Sequence, residues 1–358
     1  MATLIIPCAG KSSRYPDLRP KWLLTHPDGQ LMIEKAVKPL FKIKFIKKYI
    51  ITITKEINQK YKAKIILEQI FKKKIKILIL NKPTKSASET IYETIKRLNI
   101  VNGQLLIKDS DCFIKINNNQ IKKLKKRNFI FGLGLDKFSH IRNIHQKSFI
   151  KINNKKKIID IVEKKIISSL ICVGLYSFSS VKSFVSSYKT CCKIYKINKN
   201  ELFVSIIARY LINQNYIFDY FQCKEYEDYG TFEDWLVIRN KYRSFFVDLD
   251  GVIFVNKGKY GLNNWNTKNY YLKKNISTLK KIHAQGSQII FCSSRSKNQY
   301  NRLYAELKKL GFLKFKLILD IYHSQRIIIN DFTNSNPSPS AIAINLERNH
   351  DTLDKFIQ

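Results

Sequence analysis

The residues of this chain best suited to chemistry are carboxylates that follow short apolar runs. Leu105-Leu106-Ile107 leads through Lys108 into Asp109 and Asp111, and Phe245-Phe246-Val247 leads into Asp248 and Asp250. Carboxylates at a strand end are hard oxygen ligands suited to Mg²⁺, which bridges phosphates, so Asp109 and Asp111 point to phosphoryl chemistry. Near the N-terminus the apolar run from Leu4 to Pro7 breaks at Ala9-Gly10 into Lys11-Ser12-Ser13-Arg14, and Pro20-Lys21 follows. Gly10 and the small serines allow backbone N–H groups close to a polyphosphate, while Arg14 and Lys21 supply fixed positive charge. The Walker spacing is absent, which excludes an ordinary ATPase loop.

The elements that must position these groups alternate in type. Short β-branched runs (Tyr49 to Thr54, Lys76 to Leu80, Gln104 to Lys108, Phe129 to Gly134) are separated by amphipathic segments such as Ile33 to Lys42 and Glu56 to Phe71. Strand–helix alternation predicts an α/β fold with a parallel-dominated sheet, whose ligands gather at the carboxyl ends of strands. Ser86, Ala87 and Ser88 stand just ahead of a predicted helix, and Ser88 is a natural N-cap. After Arg243 the pattern restarts, so two domains are expected, 1–240 and 243–358.

Composition narrows the partners. Lys and Arg number 65 against 27 Asp and Glu, a net charge of +38, which suits an anionic partner. The surplus is mostly Lys spread along the chain with abundant Ile and Asn, the signature of an AT-rich genome, so nucleic acid is not the expected partner. Seven cysteines without a C-x-x-C pair read as thiols of a reducing compartment. There is no signal-peptide order and no apolar run of spanning length, so a cytoplasmic protein without membrane contact is expected.

The loop from Gly10 to Lys21 resembles the N-terminal signature of the sugar-phosphate nucleotidylyltransferases, with Lys11-Ser12-Ser13 replacing the commoner second glycine. Four further stretches are similar to that family in its order: Asn81 to Ile91, where the base pocket would include Ser86, Ala87 and Ser88; Asp109-Ser110-Asp111-Cys112-Phe113, with Asp111 the better match to the metal-binding Asp; Val162-Glu163-Lys164, with Gly174 in the strand beyond; and Glu225 to Trp235. The resemblance implies that Glu163 and Lys164 hold the sugar and its phosphate. It also implies that Asp228 completes an Mg²⁺ site with Asp111, and that Thr231 caps the helix opened by Glu233-Asp234. Lys165 and Phe232 stand where the family carries Pro. The implied activity is transfer of a nucleotidyl group from an NTP to a sugar 1-phosphate or similar polyol phosphate, releasing pyrophosphate. The implied fold is Rossmann-like, a GT-A-like mixed sheet.

The second segment, Asp248-Leu249-Asp250-Gly251-Val252, resembles the first motif of the haloacid dehalogenase superfamily of phosphatases. The resemblance implies a capless Rossmannoid sheet in which Asp248 attacks phosphorus and Asp250 serves as acid and base. Ser293 would bond the phosphate. The run Arg326 to Asn330 would be a strand ending at Asp331, which would hold Mg²⁺ with Asp248 beside Asp250. Lys314, Lys316 and Arg326 compete for the phosphate-binding cation. The short gaps from Val252 to Gln288 and from Ser293 to Lys314 hold no sizeable cap. Open members of the superfamily take large substrates or close their sites by forming homo-oligomers, and the tail is expected to add a strand and a helix. Together the two segments imply a bifunctional enzyme of nucleotide-sugar synthesis for surface polysaccharide. The alternatives are nucleic-acid end repair, which the charge favours and the absence of a Lys nucleophile motif opposes, and a non-catalytic second domain.

Overall fold

The computed structural model describes residues 1–10, 18–72, 74–137, 143–195, 201–257, 268–331 and 341–357. The chain divides into two compact units, Met1–Leu236 and Val237–Gln358.

The first unit contains strands β1 (Ala2–Pro7), β2 (Ile46–Thr54), β3 (Lys76–Leu80), β4 (Gln104–Lys108), β5 (Cys112–Lys115), β6 (Asn128–Gly134), β7 (Ser148–Ile152), β8 (Lys157–Glu163), β9 (Leu170–Phe178), β10 (Phe218–Gln222) and β11 (Glu225–Asp228). Its helices are α1 (Met32–Val37), α2 (Lys55–Tyr61), α3 (Ala63–Phe71), α4 (Ala87–Arg97), α5 (Asn118–Ile121), α6 (Val181–Ile194) and α7 (Val204–Asn213); α8 (Phe232–Lys241) runs across the division. Nine strands form one sheet in the order β3-β2-β1-β4-β9-β6-β10-β8-β7, and β11 pairs with β5 in a separate two-stranded sheet. β1 lies parallel to β2 and β4, whereas β9 runs antiparallel between β4 and β6. The sheet is therefore mixed.

The apolar runs are continuous because both faces of the sheet are covered. Side chains alternate across it: Leu4 and Ile6 of β1 join one core with Ile51, Leu106, Phe129 and Phe131, while Ile5 joins the opposite core with Ile50, Leu105, Ile107 and Ile130. The segment expected as one helix over 56–71 is two, because Lys62 adopts a left-handed conformation (φ 50°) and ends α2 before Ala63 is buried in the core. The cap of α4 stands two residues ahead of the predicted one. Ser86, not Ser88, accepts the Glu89 N–H at 3.1 Å, while the Ser88 hydroxyl is buried and donates to the Leu202 carbonyl at 2.5 Å.

The second unit has a parallel sheet in the order β12 (Ser244–Asp248), β13 (Gln288–Cys292), β14 (Phe315–Ile318), with helices α9 (Lys273–Ala284) and α10 (Tyr300–Lys309). Val247, Leu249, Leu279, Phe291, Leu303 and Phe312 form its core. Two expectations fail here. The run Arg326 to Asn330 forms no strand and is exposed, because its three isoleucines lie on a segment without ladder partners among the described residues. Among its described residues the tail forms only a 3₁₀ turn, Leu353–Lys355, ahead of which Asp351 accepts the N–H groups of Lys274 and Asn275 at 2.9 and 2.7 Å at the start of α9. Among the described residues no helix is long and apolar enough to cross a membrane.

Candidate active site

A cavity of about 660 Å³ opens in the first unit, lined by Gly10, Lys21, Ser86, Asp109, Asp111 and Glu163 among others. Three elements aim its charged groups. Pro20 starts a 3₁₀ turn, Lys21–Leu23, whose Trp22 and Leu23 are buried, and this anchoring fixes the stem of Lys21, which forms an ion pair with Asp111. β5 and β11 pair antiparallel with Asp228 opposite Cys112, so the register brings Asp228 beside Asp111. The Tyr229 N–H donates to the Asp111 carbonyl at 2.8 Å, and the Gly230 N–H donates to Asp228 Oδ1 at 3.0 Å. Asp228 is itself ion-paired with Lys147, on the segment entering β7.

Gly230 keeps this meeting point open. A Cβ there would lie 3.1 Å from Asp228 Oδ1, 3.5 Å from Lys147 Nζ and 3.8 Å from Asp111 Oδ2. Two carboxylates thus converge on a space already served by two ammonium groups. Mg²⁺ takes one or two carboxylates and completes its shell with phosphate and water oxygens, so Asp111 and Asp228 fit that ion. Among the described residues no group of three or more His, Cys, Asp or Glu side chains is disposed to hold a metal.

The electrostatics follow from which carboxylate has a cation. Burial would raise the Asp111 carboxyl, but Lys21, by charge and hydrogen bond, and then Lys147 and Lys108 hold it below the usual carboxylate range. Asp109 has no such contact among the described residues. Burial first, then the Asp111 charge, pushes it up to about 7. It sits against Gly174, whose α-carbon (φ +70°) could not carry a Cβ without meeting Asp109 Oδ2 at 2.5 Å. Burial lowers the proton affinity of Lys147 while Asp234 and Asp111 raise it. Glu163, at the end of β8, accepts the hydroxyls of Ser148 and, at 2.6 Å, Ser205.

Of the expected substrate-binding residues, Lys11, Ser12, Ser13 and Arg14 lie outside the described residues. Ala9 is buried and its carbonyl accepts the Thr84 N–H at 3.0 Å, tying the first loop to the segment before α4. Ser86, Ala87, Glu163 and Gly174 line the cavity, but Ser88 and Lys164 are not part of that lining. Lys164 takes a left-handed conformation (φ 55°), and its ammonium group lies 5.1 Å from the centre of the Phe203 ring. Thr231 caps α8 as expected, accepting the Asp234 N–H at 3.2 Å.

In the second unit, Asp248 ends β12 beside Cys292 of β13, which places Ser293 one residue further along the same edge. Arg326 donates to Asp248 Oδ1 at 3.0 Å, so of the three competing cations it is the one brought to that carboxylate; Lys314 and Lys316 are exposed on and before β14. Burial raises the Asp248 carboxyl, against the lowering charge of Arg326. Asp250 receives a two-pronged contact from Arg295, Nε to Oδ2 at 3.0 Å and Nη2 to Oδ1 at 2.6 Å, with Ser293 Oγ 3.4 Å from Oδ2. Asp331 lies on the exposed segment rather than at a strand end, so the expected geometry of a third carboxylate is not formed.

Sequence reasoning missed Lys147 and Arg295. Lys147 is one of 65 basic residues and carries no local signal. Arg295 follows Ser293 at a strand end, and its near-complete burial is the property a sequence hides.

No family model and no curated protein matches the chain. Solved structures do. A nucleoside-diphosphate-sugar pyrophosphorylase from Vibrio cholerae RC9 covers 66% of this chain and 99% of its own length at 19% identity, with a TM-score of 0.54. A Bacillus anthracis protein assigned as a glucose-1-phosphate thymidylyltransferase, in complex with sucrose, covers 66% of this chain and 94% of its own at 18% identity, with a TM-score of 0.53. At such identity the likeness establishes architecture, and the N-terminal two-thirds of this chain share the α/β fold of these nucleotidyltransferases.

Proposed function

We propose that the first unit transfers a nucleotidyl group from an NTP to a sugar 1-phosphate or a similar small phosphate, releasing pyrophosphate. The observation that carries this reading is the pair of lysine–carboxylate contacts, Lys21–Asp111 and Lys147–Asp228, meeting at one open point of the cavity. The acceptor phosphate attacks the α-phosphorus in line, so the chain's task is to orient two anions and offset their charge, and no protein nucleophile is needed. Lys21 stabilises the developing charge from one side, with Arg14 of the first loop in the same role. Ser86 and Ala87 border the base, and Glu163, its carboxylate oriented by two serine hydroxyls, accepts hydroxyls of the acceptor. Asp111 and Asp228 would hold Mg²⁺, which would supply positive charge against the phosphates.

For the second unit we propose phosphomonoester hydrolysis. The observation in its favour is that Asp248 and Asp250 stand at the end of a parallel strand, each faced by an arginine. Asp248 would attack phosphorus, and Asp250 would protonate the leaving group and then activate water. Two such activities in one chain suit neighbouring steps of nucleotide-sugar synthesis, a phosphatase trimming a bisphosphate that the transferase then activates.

Pyrophosphate release in Mg²⁺ with CTP, UTP, GTP and dTTP against a panel of sugar and polyol phosphates tests the first proposal. Turnover with one pair, abolished in Lys21→Ala and kept in Asp248→Asn, is expected. Turnover that survives Lys21→Ala would overturn the assignment of the cavity.

A further inference from the structure

Of the pair Glu163-Lys164 only Glu163 lines the cavity; Lys164 is exposed, with its ammonium group over the ring of Phe203 at the cavity's border. The strand pairing shows what stands nearby. β7 and β8 pair antiparallel with Ser148 opposite Glu163, so the residue before Ser148, Lys147, is level with the residue after Glu163, Lys164. The two are joined directly, the Lys164 N–H donating to the Lys147 carbonyl at 3.0 Å. Lys147 lines the cavity between Ser148 and the two carboxylates, and its Nζ lies 3.5 Å from the position a Cβ on Gly230 would take.

We propose that Lys147 binds the phosphate of the acceptor, a part that the family resemblance implies for the pair Glu163-Lys164. The inference rests on the transferase reading of the cavity. In the structure Lys147 is held by Asp228; once that carboxylate serves a divalent ion, the ammonium group is left facing the same open point, where an acceptor phosphate must arrive to reach an α-phosphorus. A compact ammonium on a buried stem suits a single phosphate as a point charge. Lys164, with a left-handed backbone and its side chain over Phe203, contributes to the turn rather than to the anion site.

The test is calorimetric binding on the full chain with Mg²⁺, measuring first an NTP and then, in the NTP-loaded protein, glucose 1-phosphate and inorganic phosphate as probes. Lys147→Met should weaken both probes by about tenfold or more and leave NTP affinity within about twofold; Lys147→Arg should keep part of the affinity, and Lys164→Met should match wild type. NTP binding in each variant also reports that it folds. Equal losses in Lys147→Met and Lys164→Met, or a loss in Lys164→Met alone, would overturn the assignment. So would a wild type that binds NTP but neither probe, or a Lys147→Met protein with unchanged probe affinity. Failure of every NTP to bind wild type would instead overturn the transferase reading beneath it.

Discussion

The two units place carboxylates at strand ends in opposite electrostatic settings. In the first, Asp111 is half-buried yet kept well below the usual carboxylate range because Lys21 touches it and Lys147 and Lys108 stand near. In the second, Asp248 has Arg326 at 3.0 Å and still has a raised carboxyl, because burial and the neighbouring Asp250 outweigh one half-exposed guanidinium. The residue types match; the number and burial of the cations differ. A carboxylate that is fully ionised among cations suits a bridging ion, whereas one with a raised carboxyl is a poorer anion and depends on its surroundings to become a nucleophile.

The widest gap between the units should appear in activity. Asp111→Asn and Asp228→Asn should each lower pyrophosphate release by about 10²–10³, as loss of one preorganised electrostatic contact does elsewhere, and should remove the thermal stabilisation by Mg²⁺. Asp248→Asn should change neither and should abolish hydrolysis of p-nitrophenyl phosphate. If Asp248→Asn slows nucleotidyl release as much as Asp111→Asn does, the two sites are not chemically separate.

A second contrast lies in acid. Glu227 on β11, next to Asp228, is lowered to about 2 from a usual value of 4.5; burial opposes this, and His26, Tyr229 and Lys35 outweigh it. A folded value below the unfolded one means the stabilisation is present above about pH 4.5 and is lost as pH falls toward 2, a contribution of about 3 kcal/mol from the difference between those two values. Urea unfolding of the wild type followed by near-ultraviolet signal should lose this increment between pH 5 and about 2, and Glu227→Gln should flatten that part of the profile. An unchanged profile in the variant would place the acid sensitivity elsewhere.

Packing at Gly174 sharpens the same comparison without touching charge. Gly174→Ala needs a left-handed residue (φ +70°) and a methyl group 2.9 Å from Asp109 Cβ, which belongs to the strand's own exit and cannot swing away. A loss of about 2 kcal/mol or more is expected in urea unfolding. The phosphatase turnover proposed for the second unit should persist at concentrations of urea that leave that unit folded.

Most of the sheet is legible in the sequence because its strands are buried on both faces. The runs 76–80 and 104–108 appear in the structure with the bounds their β-branched composition sets. The site is legible where a pattern couples residue type to an element's end, as for Asp111, Asp228 and Thr231. It is hidden where tertiary placement decides. Nothing local tells that Lys62 will break a helix, that Lys147 will enter a cavity while Lys164 leaves it, or that Arg295 will be buried against Asp250. The run Arg326 to Asn330 shows the reverse error: strand propensity is strong there, but a strand requires a neighbour to pair with, and none is supplied among the described residues.

The smallest effect decides what the serines before α4 do. Both are buried, and sequence alone makes either a cap or a pocket residue. The structure gives Ser86 the cap, through the Glu89 N–H at 3.1 Å, and a place in the cavity lining; Ser88 is not part of that lining, its hydroxyl lying 3.0 Å from that of Ser86 and donating to the Leu202 carbonyl. Ser86→Ala should therefore cost about 1 kcal/mol of stability, the usual worth of an N-cap, and should also weaken NTP binding. Ser88→Ala should cost about as much or somewhat more, since it strands a buried carbonyl, yet leave NTP affinity unchanged. Stability alone cannot separate the two variants, so the discriminating measurement is the ratio of NTP dissociation constants. If Ser88→Ala weakens NTP binding and Ser86→Ala does not, the base pocket lies on the other face of the helix start, and the first turn of α4 must present a different edge to the nucleotide.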